Sequence, residues 1–183
     1  VVRAELPAER ALLLAKTHPA LATENLEIVQ TSANQVAIVS FDGEPKFLVA
    51  PSTTRAFWKV LTRVETDLID TAAEMRVARQ HLDRLDLARS TLVVHGTVEA
   101  HEAGLLFVDG QLRERLAPGR YAFWNVNRVV RIAKVDLRPQ PLEVTAQEIL
   151  TKDRVAVRVT LTAFYRIVDA QKAATASADV PNT

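Results

Sequence analysis

The chain contains no cysteine among its 183 residues. That excludes disulfide staples and cysteine-ligated zinc, and leaves no thiol to carry a palmitoyl anchor. Aromatic residues make up only 5% of the chain and the formal net charge is +1, a poor composition for a generic nucleic-acid binder. No uninterrupted apolar run approaches the ~20 residues that a membrane-spanning helix needs. The longest are short, such as Ala-Gly-Leu-Leu-Phe-Val at 103–108. Catalytic signatures are missing as well: there is no G-x-S-x-G, P-loop or GxGxxG pattern.

What is present is enough apolar material for a fold. With 48% hydrophobic residues the chain can bury one sizeable core or two small ones. Charge is unevenly spread. Residues 1–89 hold 11 Lys+Arg against 12 Asp+Glu, and residues 90–183 hold 12 against 10. Arg113, Arg115, Arg120, Arg128, Arg131, Lys134 and Arg138 supply most of the second half's excess. Such a stretch suits anionic lipid headgroups, at about 1 kcal/mol per cation near the membrane. Strand alternation would instead scatter these side chains over two solvated, ion-paired faces.

One group has metal-ligand residue types: His95, Glu99, His101 and Glu102. On a straight strand His95 and His101 would stand nearly ~20 Å apart, too far to share an ion held by bonds of about 2 Å. Ser32 and Ser90 lack any nucleophile motif, and Asp83 with Asp86 reads as a solvated helix face. No residue is therefore assigned as catalytic, cofactor-binding or metal-binding, and no cofactor is expected.

The most informative stretch runs from Asp136 to Ala173. Val155, Val157, Val159, Leu161, Tyr165 and Ile167 alternate with Arg158, Thr160, Thr162 and Arg166, with Ala163 at the one small apolar place. This period of two predicts a strand with one buried face. Thr151, Lys152 and Asp153 form the preceding turn, and Leu142, Val144 and Ile149 mark a shorter partner strand. The blocks Asp136-Leu137-Arg138, Gln147-Glu148-Ile149, Thr151-Lys152-Asp153 and Tyr165-Arg166-Ile167, with the valine alternation, occur in order. As a set they resemble the stomatin/prohibitin/flotillin (SPFH, band 7) superfamily, and within it the stomatin-like slipins. The resemblance runs from about Leu92 to the end of the chain. It departs at Arg154, where the family usually has Asn, and at Ala170, where Pro is common.

That resemblance implies a non-catalytic, membrane-associated scaffold. Such a protein assembles into large homo-oligomers and organises membrane microdomains or regulates membrane proteins. Its implied partners are other copies of itself, membrane lipids with anionic headgroups among them, and a membrane-bound partner linked to proteolysis. Slipins usually carry a hydrophobic segment upstream and a coiled coil downstream. The chain opens on Val1 without an initiator Met and closes on a small, polar run from Ala173 that reads as a loop, so it is expected to be a piece truncated at its C-terminus. The other function class is a soluble peptide- or protease-binding module that captures an extended segment by strand addition.

An internal repeat is also legible. Asp42-Gly43 recurs as Asp109-Gly110, Ala50-Pro51 as Ala117-Pro118, and Ala56-Phe57-Trp58 with Val60 as Ala122-Phe123-Trp124 with Val126. Asp70 recurs as Asp136, and the two Trp residues occupy matching places. Asp-Gly alone is a common tight turn, but agreement of rare residues in order argues for duplication. Thr71 with Glu74 resembles a capping box, and Ala72, Met75, Ala78, Leu82 and Leu85 recur at helical spacing, so a helix is expected over about 70–89. A first helix around Glu9–Lys16 should end before His18-Pro19.

The expected architecture is α+β: two tandem SPFH-like units of twisted, mostly antiparallel sheet with packing helices. A diverged, partial repeat fills residues 1–89, and the SPFH segment proper fills 90–183. Trp58 and Trp124 should take equivalent, largely buried positions.

Overall fold

The computed structural model describes residues 5–60, 62–82 and 90–176; at 144–147 and 159 it describes backbone alone. Short helices punctuate a mostly antiparallel β structure. A two-residue strand β1 (Glu5–Leu6) leads into α1 (Ala8–Thr17), entered through Pro7 and ended before the His18-Pro19 pair. A second helix, α2 (Pro19–Asn25), starts on that proline. Proline suits this place because a first-turn residue has no helical partner for its N–H.

Five strands follow: β2 (Leu26–Gln30), β3 (Gln35–Phe41), β4 (Glu44–Val49), β5 (Thr54–Trp58) and β6 (Val64–Asp70). After helix α3 (Arg79–Leu82), five more strands repeat the lengths closely. They are β7 (Val93–Val98), β8 (Glu102–Val108), β9 (Gln111–Leu116), β10 (Gly119–Trp124) and β11 (Val130–Asp136). The long pair β12 (Gln140–Leu150) and β13 (Ala156–Tyr165) comes next, then α4 (Ala170–Ala176).

The two sets of five strands connect alike. β3 lies between β4 and β6, as β8 lies between β9 and β11, while β5 pairs β2 as β10 pairs β7. The Asp-Gly turns agree closely. Asp42 and Asp109 take φ of 52° and 51°, followed by Gly43 and Gly110 at 80° and 78°. The Asp42 carboxylate accepts the Arg63 N–H at 2.9 Å, and that of Asp109 accepts the Val129 N–H at 2.8 Å. Asp70 accepts from Ala72 as Asp136 accepts from Arg138, each at 2.9 Å. Ser52 takes a left-handed φ of 53° where the second set has Gly119. Gly119 is nearly extended at φ 154°, so the two sets turn differently at this place.

The chain folds as two compact units. The first runs to Gly96 and takes in Val108–Gln111 and Arg120–Arg131; the second holds Thr97–Phe107, Leu112–Gly119 and the chain from Ile132. Compactness therefore does not follow a cut between residues 89 and 90, because β10 packs into the first unit.

In the first unit β3 is buried on both faces. Ala37 and Val39 pack with Val29, Val49 and Phe57. Val36 and Ile38 pack with Val77, Val93, Ala122, Trp124 and Val126. Trp124 is completely buried, whereas Trp58 is half-buried beside Ala11, Leu26 and Ala56, so the two rings are not equally covered. In the second unit Leu105 and Phe107 of β8 pack with Val135 and Ala170.

The helix expected over about 70–89 does not form where its pattern begins. Thr71 donates both its N–H and its hydroxyl to the Asn34 carbonyl, at 2.9 and 2.8 Å, instead of capping a helix. The following backbone then pairs with β10: Val77 N–H donates to Ala122 O and Trp124 N–H to Met75 O. Helix appears only at Arg79–Leu82, and residues 83–89, with Leu85, lie outside the described residues. Tertiary strand pairing has overridden local helical spacing.

Gly104 is set by close approach. A methyl group there would stand 2.6 Å from Val98 Cγ2 and 2.9 Å from Leu116 Cβ. Gly104→Ala is expected to cost about 1–3 kcal/mol through overpacking. The measurement is the urea midpoint, which should fall with an unchanged slope; an unchanged midpoint would show that β8 and its neighbours adjust freely.

Candidate interaction surface

Asp136, at the end of β11, opens the passage into β12 and β13. Its carboxylate accepts from Arg138 Nε at 3.0 Å and Nη2 at 2.6 Å, and from the Arg138 N–H at 2.9 Å. These donors, the guanidinium foremost and then the backbone N–H, lower the Asp136 pKa to about 2. The Leu137 N–H donates to the His101 carbonyl at 2.9 Å, tying this corner to the start of β8.

The hairpin pairs Gln140 with Tyr165, Leu142 with Ala163, Ile149 with Val157 and Leu150 with Ala156. A register shift between Val144 and Gln147 puts an extra residue in β12. The Thr151–Val155 turn is closed by the Thr151 hydroxyl, which donates to Val155 O and accepts its N–H, each at 3.1 Å. Arg154 sits there with φ of 60°. Asn is several-fold enriched at positive φ, and Arg is not, so Arg154 is strained there. Ala170 opens α4 beneath Asp169, whose carboxylate accepts the N–H groups of Gln171 and Lys172. This is a first helical position, where proline is readily accepted.

Three expectations about this region need correction. The alternating apolar face is not buried: Leu161 is 57% exposed, as are Leu142, Ile149, Val155, Val157 and Tyr165 to comparable degrees. The period-2 pattern records a side of the hairpin that no described element covers. The partner strand is not shorter either, since β12 runs from Gln140 to Leu150. Part of the polar tail, expected as loop from Ala173, is helical to Ala176.

The residues with metal-ligand character do not converge on one point. His95 is exposed on β7. The Glu102 carboxylate accepts the Glu99 N–H at 2.9 Å and lies 3.9 Å from Lys134 Nζ. Among the described residues, no group of three or more His, Asp or Glu side chains stands where it would hold a metal ion. Ser90 accepts the Leu92 N–H, and the Ser32 carbonyl accepts from Gln35 and Ser52. Asp83 and Asp86 lie outside the described residues. Of the basic stretch, Arg128 donates to the Thr71 carbonyl at 2.8 Å and Arg138 is held by Asp136. Neither Arg120 nor Arg131 is free, while Arg113 and Arg115 are exposed on β9.

Residues 97–183 match the family described as SPFH domain / Band 7 family. This segment is an SPFH domain. Relatives agree over the same fraction of the chain. An uncharacterized protein of Archaeoglobus fulgidus is 37% identical over 78 residues, 43% of this chain and 30% of the relative. A stomatin homolog of Pyrococcus horikoshii is 37% identical over 78 residues, 43% of this chain and 29% of its own. A Band 7 protein of Drosophila melanogaster is 34% identical over 86 residues, 47% of this chain and 17% of its own. The chain thus spans under a third of these relatives' lengths. No solved structure gives a significant match. Among the described residues no helix is long and apolar enough to cross a membrane.

Two measurements follow for the SPFH segment. By NMR the Asp136 carboxyl should titrate with a midpoint near pH 2. Because its folded pKa lies below the unfolded value, the ion pair's stabilisation is complete above about pH 4 and is lost as the pH falls through about 2. In Arg138→Ala the midpoint should return towards ordinary aspartate; an unmoved midpoint would exclude the ion pair as the cause. Arg154→Asn should relieve left-handed strain, stabilising the hairpin by roughly 1 kcal/mol. Slower amide exchange across β12 and β13 would show this, and exchange that is unchanged or faster would refute it.

Proposed function

We propose that the chain belongs to a stomatin-like scaffold of the slipin branch, non-catalytic and membrane-associated, that homo-oligomerises and organises membrane microdomains or regulates membrane proteins. The observation that carries this reading is the SPFH match over 97–183, with stomatin homologs among the relatives. In this reading the first set of five strands is a diverged copy of the second. The paired Asp-Gly turns, their matching hydrogen bonds and the common strand order support it.

The lipid contact is assigned to anionic headgroups, with exposed Arg113 and Arg115 as the available cations. A protease-linked membrane partner fits the same branch. No residue is given a chemical step, in keeping with a scaffold whose mechanism is assembly.

A second reading is favoured by one observation: β12 and β13 form a sheet of two strands, so each has an edge without a strand neighbour among the described residues. Such an edge also accepts an extended peptide by strand addition. Light scattering on the full-length protein separates the two. A large homo-oligomer in detergent and in lipid is expected; a monomer in both would sink the scaffold and favour the peptide-binding module.

A further inference from the structure

We propose that the edge of β5 is a strand-addition site for an extended, acidic segment of another protein, and that β1 is a displaceable strand filling that site in the free chain. The proposal is independent of the scaffold reading and gives strand addition a different place from the edges of β12 and β13.

The edge carries its own recognition chemistry. β5 pairs with β2 along its length on one side, and on the other only with the two residues of β1. Glu5 stands opposite Phe57 and Leu6 opposite Ala56. Arg55 of β5 lies over the Phe47 and Phe57 rings and turns its Nε and Nη2 to the Glu5 carboxylate, at 2.5 and 2.7 Å. A guanidinium held by rings on one side and presenting its fork on the other is pre-organised for a carboxylate.

The second set shows that the strand dictates the charge it takes. Arg76 stands opposite Phe123, and the next residue, Val77, donates its N–H to Ala122 O. Both edges therefore take a charged residue followed by an apolar one, in the same register. Where β5 offers Arg55, β10 offers the Tyr121 ring, and the incoming residue is a cation instead of a carboxylate. The β5 edge selects an acid.

β1 is the looser of the two caps. Val77 is buried, whereas Leu6 is only half-buried and the Glu5 side chain is 40% exposed. The strand ends at Pro7, which lacks an N–H and turns the chain into α1 just where pairing would continue opposite Arg55 and Thr54. Short edge elements with few buried contacts open first. Tethered through Pro7, β1 competes at an effective concentration of about 1 mM, so a partner displaces it by pairing over the longer stretch that Pro7 denies to β1.

The probe is a labelled octapeptide of residues 1–8 carrying Pro7→Thr and Ala8→Val, added to the 183-residue chain and followed by NMR. Shift changes should centre on Thr54–Trp58. A Glu5→Ala chain, whose Arg55 is unoccupied, should bind the probe roughly ten-fold more tightly than the unmodified chain, as loss of a competing ion pair implies. Placing Gln at the probe's own Glu5 position should weaken binding to that same chain by about ten-fold, a comparison that needs no further change in the protein. No binding to either chain at about 1 mM probe, equal affinity of the two chains, or equal affinity of the two probes overturns the proposal. Shift changes at Ala156–Tyr165 instead would put strand addition on the last hairpin and overturn it as well. The scaffold reading is judged separately, by light scattering on the full-length protein.

Discussion

The strand β3 has no solvent-exposed side, and most of the first compact unit follows from that. A strand with alternate residues packed to opposite sides needs two covers. Val29 and Phe57, from β2 and β5, supply one, while Ala122 and Trp124 of β10, with Val77 and Val93, supply the other. The second cover comes from the later half of the sequence. Among the described residues, the first five strands accordingly do not close this core without β10.

A related economy appears at the sheet edges. β1 pairs with β5, setting Glu5 opposite Phe57, and the backbone at Arg76 bridges to Phe123 in the corresponding place. Both edges carry a guanidinium on aromatic rings. Arg55 lies 5.1 Å from the Phe47 centroid and 5.4 Å from that of Phe57, and it forks onto Glu5, holding that carboxyl below its ordinary pKa. In the other edge Arg76 lies 5.6 Å from Tyr121 and 5.7 Å from Phe123. The cation comes from the sheet strand in one case and from the added edge segment in the other. The contact type is the same at both edges, while the element supplying the cation differs.

Much of this was legible in the sequence where the signal is local. Asp-Gly demands positive φ, so the turns after β3 and β8 could be placed. The end of α1 was legible because proline restricts the residue before it. Burial was harder to see. The valine alternation of β13 fixed the strand and its two sides, yet alternation says nothing about what lies against a side. The spacing from Ala72 to Leu82 suggested helix because periodicity cannot show that Asn34 and β10 compete for the same backbone. The two-residue strand β1 and the helix α2 left no pattern long enough to detect. Among the surface residues, the Asp136–Arg138 pair lies within a recognisable block, but its geometry depends on a bend that only the fold reveals.

The cover that Trp124 provides for Val36 also imposes an order in time. On a ribosome the N-terminal strands emerge well before β10, and a central strand wanting one of its covers holds Val36 and Ile38 against water until the later segment arrives. Closing so distant a contact is slow, since the intervening loop must be ordered before the packing rewards it. Nascent chains of this protein therefore pass through a stage with an unshielded β surface, the period in which chaperone engagement has the most to protect.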